Sequence, residues 1–145
     1  MDADSIISII QMTMEAAGTA GSLIRDLSKT PRVVLEAQPL LSETQHQLVA
    51  LNHCIRGLAQ DRHFQQKYGQ PVKNLQIDRL LRSTQGVCHE LHGAIAKSTR
   101  HSKGGLFSKR DRVLVNFDEK KFLSLTQRLR DCRGAINMTL TSLST

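Results

Sequence analysis

The chain has 145 residues, a length typical of one domain with its own hydrophobic core. Apolar residues make up 39% and aromatic residues 3% of the sequence, and tryptophan is absent, so Leu, Ile, Val, Ala and Met must form the core. A formal net charge of +7 favours anionic partners but does not distinguish lipid, nucleic acid and acidic protein. Long unbranched side chains and only three prolines favour an all-α fold, a single bundle of about four main helices.

Residues 1–28 are predicted to form the first, apolar helix. Its buried face is expected to comprise Ile6, Ile9, Ile10, Thr13, Ala17, Ala20 and Ile24, which recur at helical spacing. Glu15 is the one charged residue between Ser5 and Ile24. Its carboxylate opposes membrane insertion by about as much as the apolar side chains favour it, roughly 2–4 kcal/mol. We therefore expect a buried bundle helix or one that inserts conditionally, not a lone membrane span.

The middle of this helix consists of unusually small residues. Gly18 and Gly21 each lower helix stability by about 1 kcal/mol relative to alanine, which predicts that another backbone approaches closely there. Ala17 with Gly21, and Gly18 with Ser22, are pairs of small residues spaced like those that pack helices in membranes. A tight helix crossing within a soluble bundle is the alternative interpretation.

Two further helices are predicted before residue 99. Thr30 and Pro31 have the pattern of an N-cap followed by proline at the first helical position, and the helix is expected to extend to about Leu58 with a kink or break at Pro39. Breakers at Gly69 and Pro71 predict a connection over 59–72. The third helix is predicted over 72–99, with a buried stripe of Ile77, Leu81, Thr84, Cys88, Leu91 and Ile95.

A basic loop over residues 98–117 and a last helix over 118–143 complete the predicted fold. Asp118 is the expected N-cap of that helix. The loop region holds the main concentration of positive charge: Lys97, Arg100, Lys103, Lys109, Arg110 and Arg112. Near an anionic leaflet each cation contributes about 1 kcal/mol, so the set predicts weak, salt-sensitive lipid binding. A simple solvated loop is the alternative, and nucleic acid is not expected because Phe107 is the one aromatic residue among these cations.

No catalytic constellation is evident, and neither a cofactor nor a metal is predicted. The three cysteines, Cys54, Cys88 and Cys132, are widely spaced and are interpreted as small reduced core residues. His89 and His92 share a helix face but lack the spacing and the second ligand pair of a zinc site. The enzyme hypothesis is therefore the weakest of those considered.

Both ends of the chain resemble a known family. The opening Met1–Ile10 and the closing stretches Leu106–Lys109, Phe117–Phe122, Leu125–Leu129 and Ile136–Leu140 are similar to the N-terminal domain of fungal STAND proteins, the HeLo-like group. In those proteins the domain precedes NACHT or related nucleotide-binding and ankyrin-repeat regions.

The resemblance implies a helical bundle related to fungal heterokaryon-incompatibility domains and to the bundle of the mixed-lineage-kinase-like pseudokinase. It implies a homo-oligomer that exposes its N-terminal helix and permeabilises the plasma membrane, whereas the expected contact with anionic lipids follows from the charge of the basic loop alone. The acidic start Met1–Asp4 is unlike a secretory signal, so we expect a cytoplasmic protein with conditional association to the plasma membrane. The implied insertion residues are Ile6, Ile7, Ile9 and Ile10 with Gly18 and Gly21, and oligomerisation would bury Glu15. In a longer native protein, a C-terminal nucleotide-binding or repeat region would follow. A non-lytic module that docks helix to helix on a partner is the alternative hypothesis.

Overall fold

The computed structural model describes residues 3–59, 71–101, 112–114 and 117–144. Four helices account for most of them: α1 (Ala3–Arg25), α2 (Arg32–Ala59), α3 (Pro71–Ser98) and α4 (Glu119–Ser144). Two short strands, β1 (Thr99–His101) and β2 (Arg112–Leu114), pair in antiparallel register with Arg100 opposite Val113. The predicted all-α four-helix bundle is confirmed.

The helices form a square in which α1 and α4 occupy opposite corners. Among the described residues, α1 packs mainly against α2 and α3, and α4 packs against the same two helices. α1 and α3 run in one direction, and α2 and α4 run in the other. Consequently α1 and α3 finish, and α2 and α4 begin, at the end of the bundle that carries the β1–β2 ribbon, which we call the ribbon end.

Two apolar clusters form the core, one at each end of the bundle. The cluster at the ribbon end includes Ile24, Val34, Leu91, Ile95, Phe122 and Leu129, and the cluster at the opposite end includes Ile6, Ile10, Leu48, Leu51, Leu81 and Ile136. The face predicted for the first helix is buried in full, as is the stripe predicted for the third. Periodicity identified these faces because the two neighbours of each helix together cover a single apolar stripe and leave the opposite face to solvent.

A polar level separates the two clusters. Thr13, Thr44 and Thr84 are fully buried there, and each hydroxyl donates to the carbonyl one turn earlier in its own helix, at 2.7, 2.7 and 2.8 Å respectively. Since these hydroxyls are satisfied locally, they are buried without a large penalty. Arg133 on α4 reaches Glu43 on α2 at the same level, with 2.7 Å between its Nη2 and the carboxylate Oε2.

The start of α2 and its passage through Pro39 differ from the prediction. The helix begins at Arg32, and the Pro31 carbonyl accepts from the amides of Val34 and Leu35, so Pro31 occupies the cap position that was predicted for Thr30. α2 continues unbroken through Pro39, so the predicted break is wrong. Pro39 is exposed, so the proline ring lies at the surface of the bundle and not in its core.

The prediction of a loop over 98–117 is wrong near both of its margins. Residues on each side of the basic stretch form the β1–β2 ribbon, whose three-residue strands are too short to produce a recognisable alternation. The predicted cap at Asp118 is confirmed, because its Oδ1 accepts from the Lys121 amide at 3.1 Å.

Candidate functional site

The apolar residues of α1 that were predicted to insert into a membrane lie in the core. Ile6, Ile9 and Ile10 are buried against α2, α3 and α4, and Ile7 is half-buried at the margin of the same cluster. Glu15 is exposed on the outer face of the helix. In the folded bundle α1 therefore presents mainly polar side chains to solvent, with Met12 as an exposed apolar one, and its apolar stripe to the protein.

The outer face of α1 borders an open groove of about 480 Å³ beside α3. Glu15 and Asp26 lie along it with His92 from α3, and hydroxyls of Thr19 and Ser22 complete its polar lining. Neither carboxylate takes part in the ion pairs formed among the described residues. The groove is open to solvent, and the Glu15 side chain is exposed in it.

Gly18 and Gly21 do not lie against another backbone, so that prediction is wrong. A Cβ on Gly18 would lie 2.7 Å from Nε2 of Gln45, a side chain of α2 that crosses over the glycine. That amide nitrogen donates to the Met14 carbonyl of α1 at 3.1 Å. A Cβ on Gly21 would meet nothing closer than the Arg25 guanidinium of its own helix, at 4.0 Å.

Part of the predicted basic cluster can be placed. Lys97 is exposed in the last turn of α3, and Arg100 and Arg112 belong to the strands of the ribbon. Lys103, Lys109 and Arg110 lie outside the described residues.

The fold adds further cations at the ribbon end that sequence reasoning missed. They come from the α1–α2 connection and the first turn of α4, and all are exposed: Arg25, Lys29, Arg32, Lys120 and Lys121. They fall in two groups, 25–32 and 120–121, that are far apart in the chain, so only knowledge of helix direction would have brought the two groups together. Lys97 and Lys121 line one small cavity of about 120 Å³ together with Phe117.

The charge of the chain is strongly asymmetric. Sequence segments 25–36 and 97–121 hold eleven Lys and Arg against five Asp and Glu, whereas the rest of the chain holds nine against eight. The described residues of both segments are at the ribbon end or its first turns. One neighbouring carboxylate, Glu36, pairs with Arg32 at 3.3 Å, and another, Asp118, caps α4. The ribbon end therefore carries a net positive field.

The cysteines are free thiols with unequal environments. Cys88 is fully buried, and desolvation, with a smaller effect from nearby Cys132, raises the pKa of its thiol to about 12. Burial also raises the pKa of Cys54, which is half-buried. A raised pKa keeps a thiol protonated at neutral pH, which makes either residue a poor nucleophile.

The histidines and acidic residues form no metal-binding group within the described part of the chain. His89 is exposed on α3, whereas His92 is half-buried beside α1.

Comparison with family models, curated proteins and solved structures finds no match to this chain in any of the three. Over the residues that the structure describes, no helix combines the length and apolarity required to cross a bilayer.

Proposed function

We propose that this chain is a membrane-associating effector domain whose ribbon end contacts anionic lipid. The proposal extends to the class that the sequence resembles, the HeLo-like domains of fungal immunity and incompatibility, which act by self-association and membrane permeabilisation. The observation that carries it is the collection of exposed cations from separate helix ends on one end of the bundle.

The number and position of the cations support binding to a surface rather than to one small ligand. Arg25, Lys29, Arg32, Lys97, Lys120 and Lys121 are all solvent-exposed and come from four helix termini and the α1–α2 connection. At about 1 kcal/mol per cation near an anionic leaflet, this set supports reversible adsorption. Such binding should weaken with salt because the Debye length is about 8 Å at physiological ionic strength.

Permeabilisation through α1 would require a large conformational change. Ile6, Ile9, Ile10 and Ile24 are buried, and exposing each to water costs about 1.5–3 kcal/mol. The total is comparable to the whole free energy of unfolding of an ordinary domain, about 5–15 kcal/mol. Release of α1 must therefore be coupled to lipid or to other copies that bury the same side chains.

The burial of α1 also favours a second candidate function, a non-lytic module that binds membrane or a partner while its bundle stays intact. The two candidates differ in one observable. Only the first requires vesicle contents to leak after the domain is bound and oligomerised.

Vesicle co-sedimentation tests the proposed surface. Lys120→Glu/Lys121→Glu should reduce binding to phosphatidylserine-containing vesicles by about tenfold or more at 0.1 M salt. Both substitutions lie in the first turn of α4, where carboxylates suit the helix dipole, so the fold should be retained.

The matched control is Arg79→Glu/Arg130→Glu, which changes the net charge equally at exposed sites away from the ribbon end. Equal loss of binding in both double variants would indicate a non-specific charge effect and contradict the proposed surface. Leakage of a trapped dye, measured on the same vesicles after chemical cross-linking, then separates the lytic from the non-lytic candidate.

A further inference from the structure

Two large apolar side chains are left exposed at the start of α2 and α4. Leu35 is 50% exposed and Leu123 is 45% exposed, although their neighbours Val34 and Phe122 are fully buried in the ribbon-end cluster. Leu35 follows the start of α2 by three residues, and Leu123 follows the start of α4 by four. At 1.5 Å per residue, the two leucines lie about 4.5 and 6 Å along their helices from the first residue of each helix.

Both leucines lie at the end of the bundle that carries the exposed cations. α2 and α4 are neighbours and both begin at the ribbon end, so the two leucines lie at a similar level on adjacent helices. Arg32 precedes Leu35 by one turn, and Lys120 and Lys121 precede Leu123. An interfacial membrane-binding surface has this composition: apolar side chains enter the headgroup–acyl boundary by about 5–10 Å while neighbouring cations contact anionic headgroups.

We propose that Leu35 and Leu123 insert into the interface of an anionic bilayer, so that the bundle binds ribbon end first with the α2–α4 edge lowered. This inference rests on the proposed function and specifies which side chains enter the lipid. It differs from insertion of α1, because the bundle stays folded and α1 keeps its buried contacts. Positive charge at this edge favours a bilayer bearing anionic headgroups as the occupant.

Because the chain contains no tryptophan, a single introduced tryptophan provides a direct fluorescence reporter. Leu35→Trp and Leu123→Trp each introduce a single indole at a half-exposed site, and Met138→Trp is the matched control. Met138 is 74% exposed on α4, toward the opposite end of the bundle. We expect emission of the first two variants to shift to shorter wavelength on adding phosphatidylserine vesicles, with quenching by brominated acyl chains, and emission of the control to stay unchanged.

Partitioning provides the second readout. Leu35→Ala and Leu123→Ala should each weaken vesicle binding by about fivefold, and Met138→Ala should leave it unchanged. Circular dichroism of each variant should match the parent, since the substituted side chains are half-exposed.

The outcomes are distinguishable. Co-sedimentation of the unmodified protein, combined with unchanged emission at both leucine sites and no effect of the alanine substitutions, would overturn the leucine insertion and leave the proposed function standing. An equal blue shift for Met138→Trp would overturn the ribbon-end orientation. No co-sedimentation at all would overturn the proposed function and, with it, this inference.

Discussion

The two glycines of α1 have different surroundings, although they look alike in the sequence. Gly18 leaves room for the Gln45 side chain, which donates to the Met14 carbonyl. Gly21 is buried, but the nearest atom to a built Cβ is 4.0 Å away, so a methyl group fits there. The contact with Gln45 therefore compensates for the low helix propensity of Gly18. Gly21 has no comparably close contact that would compensate for its own low helix propensity.

We predict that Gly21→Ala raises the free energy of unfolding by about 0.5–1 kcal/mol, because alanine is the better helix former. Gly18→Ala should leave it within about 1 kcal/mol of the parent, since the gain in helix propensity is offset by displacing Gln45 and losing a hydrogen bond. Urea unfolding followed by circular dichroism measures both. Destabilisation by Gly21→Ala would show that close packing at this position is required after all.

Cys88 should be the least reactive of the three thiols. Its thiol is fully buried and its pKa is raised to about 12, so at pH 8 a maleimide should label Cys54 and Cys132 first and reach Cys88 only on unfolding. Cys88→Ala should remove the slow labelling phase and leave the fast phase unchanged. Rapid labelling of all three thiols in the folded protein would contradict this.

The same raised pKa has a consequence for stability. Folding favours the protonated Cys88 thiol, so its contribution is complete below about pH 9, the ordinary thiol pKa, and is lost as pH rises toward about 12. The free energy of unfolding should therefore fall less steeply above pH 9 in Cys88→Ala than in the parent protein.

At the level of the helices, α2 contains Pro39 in its interior, a position where proline normally breaks or kinks a helix. Pro39 lacks an N–H, so the carbonyl of Leu35 has no partner one turn later, yet the helix runs from Arg32 to Ala59 without a break. Buried residues on both sides of the proline, Ala37 and Leu40, hold the two halves of the helix against the core. Tertiary packing outweighs the local preference here.

We predict that Pro39→Ala raises the free energy of unfolding by about 1–3 kcal/mol, because it restores one backbone hydrogen bond and removes a ring clash at an exposed site. Glu36→Ala, at another exposed position of α2, is the control and should change stability by no more than about 1 kcal/mol, the value of its exposed ion pair with Arg32. A lower stability for Pro39→Ala would show that a proline-induced bend is needed for packing against α1 and α4.

At the level of the whole molecule, α1 is an integral part of the core rather than an appended segment. Ile10 belongs to a cluster with Leu48, Leu81 and Ile136, one residue from each of the other three helices. Any mechanism that frees α1 must therefore disrupt contacts with all of them.

We predict that Ile10→Ala lowers the free energy of unfolding by about 2–4 kcal/mol, through lost burial and the cavity it leaves. Ser8→Ala, at an exposed position of the same helix, should change it by no more than about 0.5 kcal/mol. Thermal unfolding monitored at 222 nm distinguishes the two. Equal, small effects would mean that α1 is held loosely, which would favour its release at a membrane.

Much of the fold was predictable because each helix buries a single stripe. Thr13 and Thr84 illustrate this, since periodicity placed both in the core despite their hydroxyls. The ribbon was not predictable, because strands of three residues contain too few positions for alternation. The exposure of Leu35 and Leu123 was also missed, because the sequence does not show whether a leucine adjacent to a buried stripe is covered or exposed.

By itself, the sequence determined the helical class, the approximate helix limits, the buried faces and the excess of positive charge, since these depend on local periodicity and composition. Only the tertiary structure decided which helix ends meet, because that depends on helix direction and neighbour relations. It thereby brought Lys29 and Lys120 to one end, located Leu35 and Leu123 at that same end, and placed Glu15 on an exposed outer face. Contacts between residues far apart in the chain have no local signal, and the candidate lipid-binding surface consists of such residues.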